Sequence, residues 1–186
     1  MVDVNDLRRG MAFELDGDLF KVLEYSHNKP GRGNATIRVK VVNLHSGAQF
    51  ERTFQSGARV QDVELEITPV QYLYHDGDFY YFMNTESYEQ ITVNERILGD
   101  NVAYLKENSD LNLITHDGEP LDVDLPPNVE LLVIDSPMAI AGDTAAGGGT
   151  KTVTVETGLK VSVPLFVNLN DTVRIDTRNG EYITRV

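Results

Sequence analysis

The chain is 186 residues long, 41% hydrophobic, and carries a formal net charge of −13 at pH 7. It contains no Cys, which excludes a disulfide framework, a thiol nucleophile and a zinc–thiolate centre. No run approaches the apolar length of a bilayer span, and MVDVNDLRRG lacks the basic-then-apolar order of a secretion signal, so a cytoplasmic protein with no membrane partner is expected.

The charge is unevenly spread. Residues 1–64 hold nine Lys/Arg against nine Asp/Glu, residues 65–128 hold two against thirteen, and residues 129–186 hold five against seven. A neutral first part, a strongly acidic middle and a mildly acidic end predict three units with those boundaries. Affinity for nucleic acid comes largely from Lys and Arg neutralising phosphates, so so acidic a body is a poor candidate for coating RNA. It suits solubility, basic partners, or mimicry of a polyanion.

The first predicted elements are a strand pair around the turn Asp16-Gly17, then strands over Phe20–Tyr25 and Ala35–Val42. In ATIRVKVVNL, Ala35, Ile37, Val39 and Val41 share one face while Thr36, Arg38 and Lys40 share the other, the period of a half-buried strand. Lys29–Gly33 would form the turn between those strands. Pro30 stiffens its entry and the glycines on both sides of Arg32 keep it permissive. No acid lies between Glu24 and Glu51, so this tip is predicted to be basic and unneutralised. A solvated hairpin end explains it, and so does a guanidinium held out for phosphate oxygens or for stacking on bases.

The middle part opens on an aromatic run, Tyr72, Tyr74, Phe79, Tyr80, Tyr81 and Phe82, around the turn dipeptide Asp76-Gly77. Alternation places several of these rings in a core. NERILGDNVAYL predicts the one helix, with Asn94 as N-cap and Ile97, Leu98, Val102 and Leu105 as its apolar stripe; Gly99 weakens it. Asp117-Gly118 repeats the hairpin signal, and Pro126-Pro127-Asn128 marks a join.

The last part alternates again in VELLVIDS, TVTVE, LKVSVPLFV and DTVRIDT, with Asn179-Gly180 as a further turn. Its GDTAAGGGTK resembles a phosphate loop only superficially. Counting from Gly142 puts Gly147 correctly but Gly148 where lysine is required, and the residues that follow are strand-like, so no helix N-terminus faces a phosphate. A flexible hairpin loop explains it. Alternatively its backbone approaches RNA or protein closely, with Asp143 and Thr144 reaching base edges.

No catalytic constellation emerges. His27, His45, His75 and His116 are scattered without metal-ligand spacing, and no G-x-S-x-G elbow occurs. Carboxylate pairs in a segment with thirteen acids carry little weight. An enzyme is not expected, nor a metal or cofactor.

In order along the chain, KPGRGNA, YEQITV, GDTAAGGGTK, ETG, VPLFV and DTRNGEYITRV resemble the bacterial elongation factor P family over essentially the whole length. The resemblance implies an all-β protein of three small barrels, a KOW/SH3-like barrel (1–64) followed by two OB-fold barrels (65–128 and 129–186), in an elongated, tRNA-like L. It implies a monomer that binds the ribosome between the peptidyl and exit sites, positions peptidyl-tRNA, stimulates peptide-bond formation and relieves stalling at consecutive prolines. Carried over by motif, Arg32 would reach the CCA end of the peptidyl-tRNA, with Lys29, Pro30, Gly31 and Gly33 shaping the tip. Gly142, Asp143, Thr144, Gly147 and Gly148 would contact the exit-site codon of the mRNA near the small subunit.

Two departures stand out. The glycine run is one residue longer than the family pattern, and Thr152-Val153 replaces a frequent Pro-Ala. An arginine at the tip rules out a lysine-type modification there and leaves two states, unmodified or rhamnosylated by an arginine rhamnosyltransferase. The alternatives are an elongation-factor-P-like paralogue and a generic OB-type module that binds single-stranded RNA, which would use stacking aromatics along a positive groove.

Overall fold

The computed structural model describes residues 1–28, 35–137 and 149–186. These form sixteen strands in three sheets, with one turn of α-helix. The chain is therefore mostly β, as the two-residue alternation predicts.

The first sheet contains β1 (Val2–Asp3), β2 (Ala12–Leu15), β3 (Asp18–Asn28), β4 (Thr36–Asn43), β5 (Gln49–Gln55) and β6 (Arg59–Val63), in the order β1-β6-β2-β3-β4-β5. The second has β7 (Glu66–Asp76), β8 (Phe79–Asn84), β9 (Gln90–Asn94), β10 (Asp110–His116) and β11 (Glu119–Asp124), ordered β11-β10-β7-β8-β9. The third has β12 (Asn128–Asp135), β13 (Thr150–Val155), β14 (Lys160–Pro164), β15 (Thr172–Asp176) and β16 (Tyr182–Arg185), ordered β14-β13-β12-β15-β16. Contacts group Met1–Thr68 with Leu113–Asp122 in one compact unit, and Pro69–Asn112 with Val123–Val186 in the other.

In the first unit, β2 and β3 meet at a two-residue turn. Leu15 pairs with Asp18, and Asp16 and Gly17 both take positive φ, 56° and 86°. Asp-Gly tolerates that left-handed pair, whose twist matches the strands it joins. The core is built from the apolar faces that the turn brings into register. Val4, Leu7, Phe13, Phe20, Val22, Ile37, Val39 and Val41 are all essentially inaccessible to solvent. Leu121 of β11 is buried with Ala12, Leu19, Leu44 and Val63, and Asp122 meets Lys21 at 3.1 Å, so a segment distant in sequence completes this unit.

In the second unit, Val70, Tyr72, Phe82, Val93, Leu98, Leu105 and Leu111 are buried. The helix expected over Asn94–Leu105 is shorter than the apolar stripe suggests. Asn94 does cap it, its Oδ1 accepting the Arg96 N–H at 2.9 Å. The α-turn ends at Leu98, however, and Gly99–Tyr104 continues as a tighter 3-10 segment. Gly99 is the cause: at φ 54°, ψ −135° it lies where only glycine sits without strain. Of the expected stripe, Leu98 and Leu105 are buried, while Ile97 and Val102 are only half-buried. Gly99→Ala is expected to destabilise this unit by about 1–3 kcal/mol, although a Cβ there would meet nothing within 4 Å. A denaturant midpoint unchanged from the parent would contradict that assignment.

The 3-10 segment is held against the third sheet. Thr157 Oγ1 donates to the Ala103 carbonyl at 2.6 Å, Tyr104 packs on the core of Leu131, Val133, Val153, Val155 and Ile175, and Lys106 meets Glu156 at 3.2 Å. The third sheet alternates as predicted: Leu131 and Val133 of β12 point inward, Glu130 outward to Arg174 of β15.

Candidate functional site

The tip expected to carry function is borne on the hairpin of β3 and β4. Lys29, Pro30, Gly31, Arg32 and Gly33 themselves lie outside the described residues, and what surrounds them is the base. Strand pairing runs from Phe20↔Asn43 to Asn28↔Thr36, with one irregularity between Val22 and Glu24. β4 is paired along its other edge with β5, from Thr36↔Gln55 to Val42↔Gln49. Ile37, Val39 and Val41 fix β4 to the core. Beyond β5, Ser56 donates its N–H to the Ala35 carbonyl at 2.9 Å. β3, β4 and β5 thus form a three-stranded base anchored on one buried face.

The tip expected to be unneutralised lies outside the described residues, but the cations on the strands below it are paired. Arg38 Nε lies 3.8 Å from Glu51, and Lys40 Nζ 3.6 Å from Glu24. The two acids that bound the acid-free window thus pair across the strands with its two strand-borne cations. Such exposed pairs contribute about 0–1 kcal/mol each, but they cancel charge at the base. Two further cations hold rings: Arg52 stands over Phe20 at 5.0 Å and Phe50 at 5.4 Å, and Arg8 over Tyr25 at 5.3 Å. Strand periodicity could not reveal these contacts, because they depend on register between strands.

The second expected contact loop falls between β12 and β13. Gly142, Asp143, Thr144, Gly147 and Gly148 lie outside the described residues. Their flanks are built from the third sheet: Asp135 pairs with Thr154, Ser136 Oγ donates to the Val167 carbonyl at 3.5 Å, and Thr150 pairs with Pro164. A strand begins at Thr150, so no helix follows the glycine run, as its alternation predicted.

His27 is an exposed residue of β3, and the other three histidines sit at or beside turns. His45 lies 4.0 Å from Asp18, His116 Nδ1 is 3.0 Å from the Glu64 carbonyl, and His75 stacks on Tyr80 with centroids 5.1 Å apart. Among the described residues no group of three His, Asp or Glu side chains could hold a metal ion. No helix of theirs is long and apolar enough to cross a membrane.

The aromatic run divides by alternation on β8, where Tyr80 and Phe82 are buried and Phe79 is about half exposed. On β7 a register irregularity between Tyr72 and Tyr74 leaves Tyr72 buried and Tyr74 about half exposed, stacked on Tyr81 at 4.7 Å. Burial pushes the Tyr72 phenol up to about 12, with the Tyr80 ring and the Glu107 carboxylate adding to it. Burial raises Tyr80 as well, helped by Glu95 and Asp78. The folded state therefore prefers the neutral phenol. This contribution to stability is complete below pH 10 and is lost as pH rises from 10 towards 12. Melting temperature is expected to fall across that window, and Tyr72→Phe, which cannot ionise, to flatten the fall. An identical alkaline limb in the variant would contradict the assignment.

Three family models match the chain end to end. The elongation factor P KOW-like domain matches residues 3–60, the elongation factor P OB domain 65–123, and the elongation factor P C-terminal model 129–185. The proteins named elongation factor P from Moorella thermoacetica and Thermotoga maritima are 47% and 44% identical over 185 residues, each covering 100% of both chains. A solved structure, eukaryotic translation initiation factor 5A from Methanococcus jannaschii, covers 66% of this chain and 92% of its own at a TM-score of 0.52 and 22% identity, a likeness of fold.

Proposed function

The chain belongs to the elongation factor P family and is a translation elongation factor that works with the ribosome, and from that premise we propose how it acts. It binds between the peptidyl and exit sites, holds the peptidyl-tRNA in a reactive geometry and speeds peptide-bond formation at consecutive prolines. The observation that carries this reading is the full-length match, in order, of all three family models to residues 3–185.

The protein supplies no chemistry of its own and needs no metal or cofactor. Proline reacts slowly because its ring restricts both the amine and the nascent chain. Holding the two reacting ends in place lowers the entropic part of the barrier, a contribution that reaches about 7–11 kcal/mol in the best-oriented systems. Arg32 contacts the tRNA near its CCA end, and Lys29, Pro30, Gly31 and Gly33 aim it. The loop Gly142, Asp143, Thr144, Gly147 and Gly148 meets the exit-site codon. Segments 1–64, 65–128 and 129–186 act as three domains of a cytoplasmic monomer. With thirteen acids against two bases in 65–128, the body substitutes for the charge of a tRNA while the tip and the glycine-rich loop meet RNA.

Binding to ribosomes is the test. Purified protein should co-sediment with ribosomes carrying peptidyl-tRNA and an empty exit site, and deacylated tRNA in the exit site should displace it. Binding indifferent to exit-site tRNA would refute the placement. The state of Arg32 is read separately, by fragmenting the protein from its native source. A peptide one deoxyhexose heavier at Arg32 would make an arginine rhamnosyltransferase an obligatory partner; an unmodified peptide means the guanidinium suffices.

A further inference from the structure

Leu125-Pro126-Pro127-Asn128 contains the chain's one pair of consecutive prolines. We propose that synthesis of this protein passes through the very step the protein accelerates, so that its own nascent chain is among its substrates and its production depends on finished protein already present. The inference rests on the proposed action at consecutive prolines and adds one specific substrate to it.

The fold explains why so slow a dipeptide sits here. The prolines span the interval between β11, which ends at Asp124, and β12, which begins at Asn128. Both of their carbonyls are used: Thr177 Oγ1 donates to Pro126 O at 2.6 Å, and the Thr177 N–H donates to Pro127 O at 3.1 Å. Proline has no N–H to satisfy at this junction, and its ring holds φ near the value an extended link needs. A proline also keeps the residue before it extended. Asn128 pairs with Asp176 in the next step of the ladder, so the diproline sets where the register of β12 on β15 begins. The pair serves the architecture, and its cost falls on translation.

The slow step is an aminolysis. The Pro127 nitrogen, carried on its tRNA, attacks the carbonyl carbon of Pro126. The ester C–O bond to the peptidyl-tRNA breaks, the amine loses a proton, and the released tRNA hydroxyl gains one. A chain held at this point lacks all five strands of the third sheet. Tyr104 then has none of the core it packs against in the finished protein. A ribosome stopped here therefore holds an incomplete second unit, and abundant finished protein shortens that exposure.

The experiment uses a reconstituted translation mixture free of this protein and the mRNA for the full chain, with ribosome positions mapped on the message. Ribosomes are expected to accumulate with Pro126 in the peptidyl site, and added wild-type protein to remove the accumulation. An mRNA encoding Pro127→Ala should show none with or without it. Because the readout is ribosome position, folding of the variant does not matter. An unrelated message with a run of prolines is mapped in parallel. If the protein relieves that control while the full-chain message shows no stop at Pro126-Pro127, or a stop that persists, the self-dependence is wrong and the proposed function stands. If the control is not relieved, both fall.

Discussion

Replacing Arg32 with alanine is expected to abolish most of the protein's rescue of a polyproline reporter while leaving its ribosome binding and its melting temperature in place. The guanidinium is the one group at the tip that offers a planar fork of donors to phosphate and a face to bases. Hydrogen bonds to charged groups are worth about 1.5–3 kcal/mol. If that contact is made while peptidyl-tRNA is being positioned, its loss slows the proline step by about one to two orders of magnitude. Arg32→Lys keeps the charge and loses the fork, so it should fall between the two. Full rescue by the alanine variant would end the role assigned to the tip. A lowered melting temperature would reassign the effect to the hairpin base, where Asn28 pairs with Thr36 and Ile37 enters the core.

The second large effect is structural. Phe20 is 1% exposed, lies 5.6 Å from Phe13 and 5.6 Å edge-on from Phe50, and carries the Arg52 guanidinium over its face. Truncating such a ring costs about 3–5 kcal/mol, a large share of the stability of a small unit that begins with about 5–15 kcal/mol. Phe20→Ala is therefore expected to shift the denaturant midpoint of the first unit far down, and polyproline rescue should disappear with the hairpin base. Strand signal from the third sheet, whose core shares no residue with Phe20, should persist. A midpoint within error of the parent would mean that this cluster is not what holds β3 and β4 together.

These two variants separate presentation from contact, and they also mark what the sequence could convey. Alternation in ATIRVKVVNL identified β4 and its inward face residue by residue, because a strand pinned to a core on one side must alternate. Asp16-Gly17 and Asp117-Gly118 were readable as two-residue turns, since few dipeptides accept positive φ twice. The Asn94 cap was readable too, but the helix length was not. Gly99 stops the α-turn at Leu98, and the stripe beyond it is satisfied by a 3-10 segment packed on residues more than fifty positions away. Long-range pairings escaped altogether. Nothing local to Leu121 announces that it closes the core around Leu19 and Leu44, and nothing in the acid-free window announces that Glu24 and Glu51 neutralise Lys40 and Arg38.

The candidate site was legible in a different way. Glycines around Arg32 and the run Gly147–Gly149 carry no periodicity, and their meaning came from ordered likeness to a family. That family was then met in three models and in relatives identical at close to half of all positions.

The measurement that bears most directly on the account is product formation in a reconstituted translation system on two matched messages, one encoding consecutive prolines and one in which they are replaced by alanines. Added protein should raise the rate of full-length product from the first and leave the second unchanged. Equal acceleration of both, or of neither, would contradict action at the proline step.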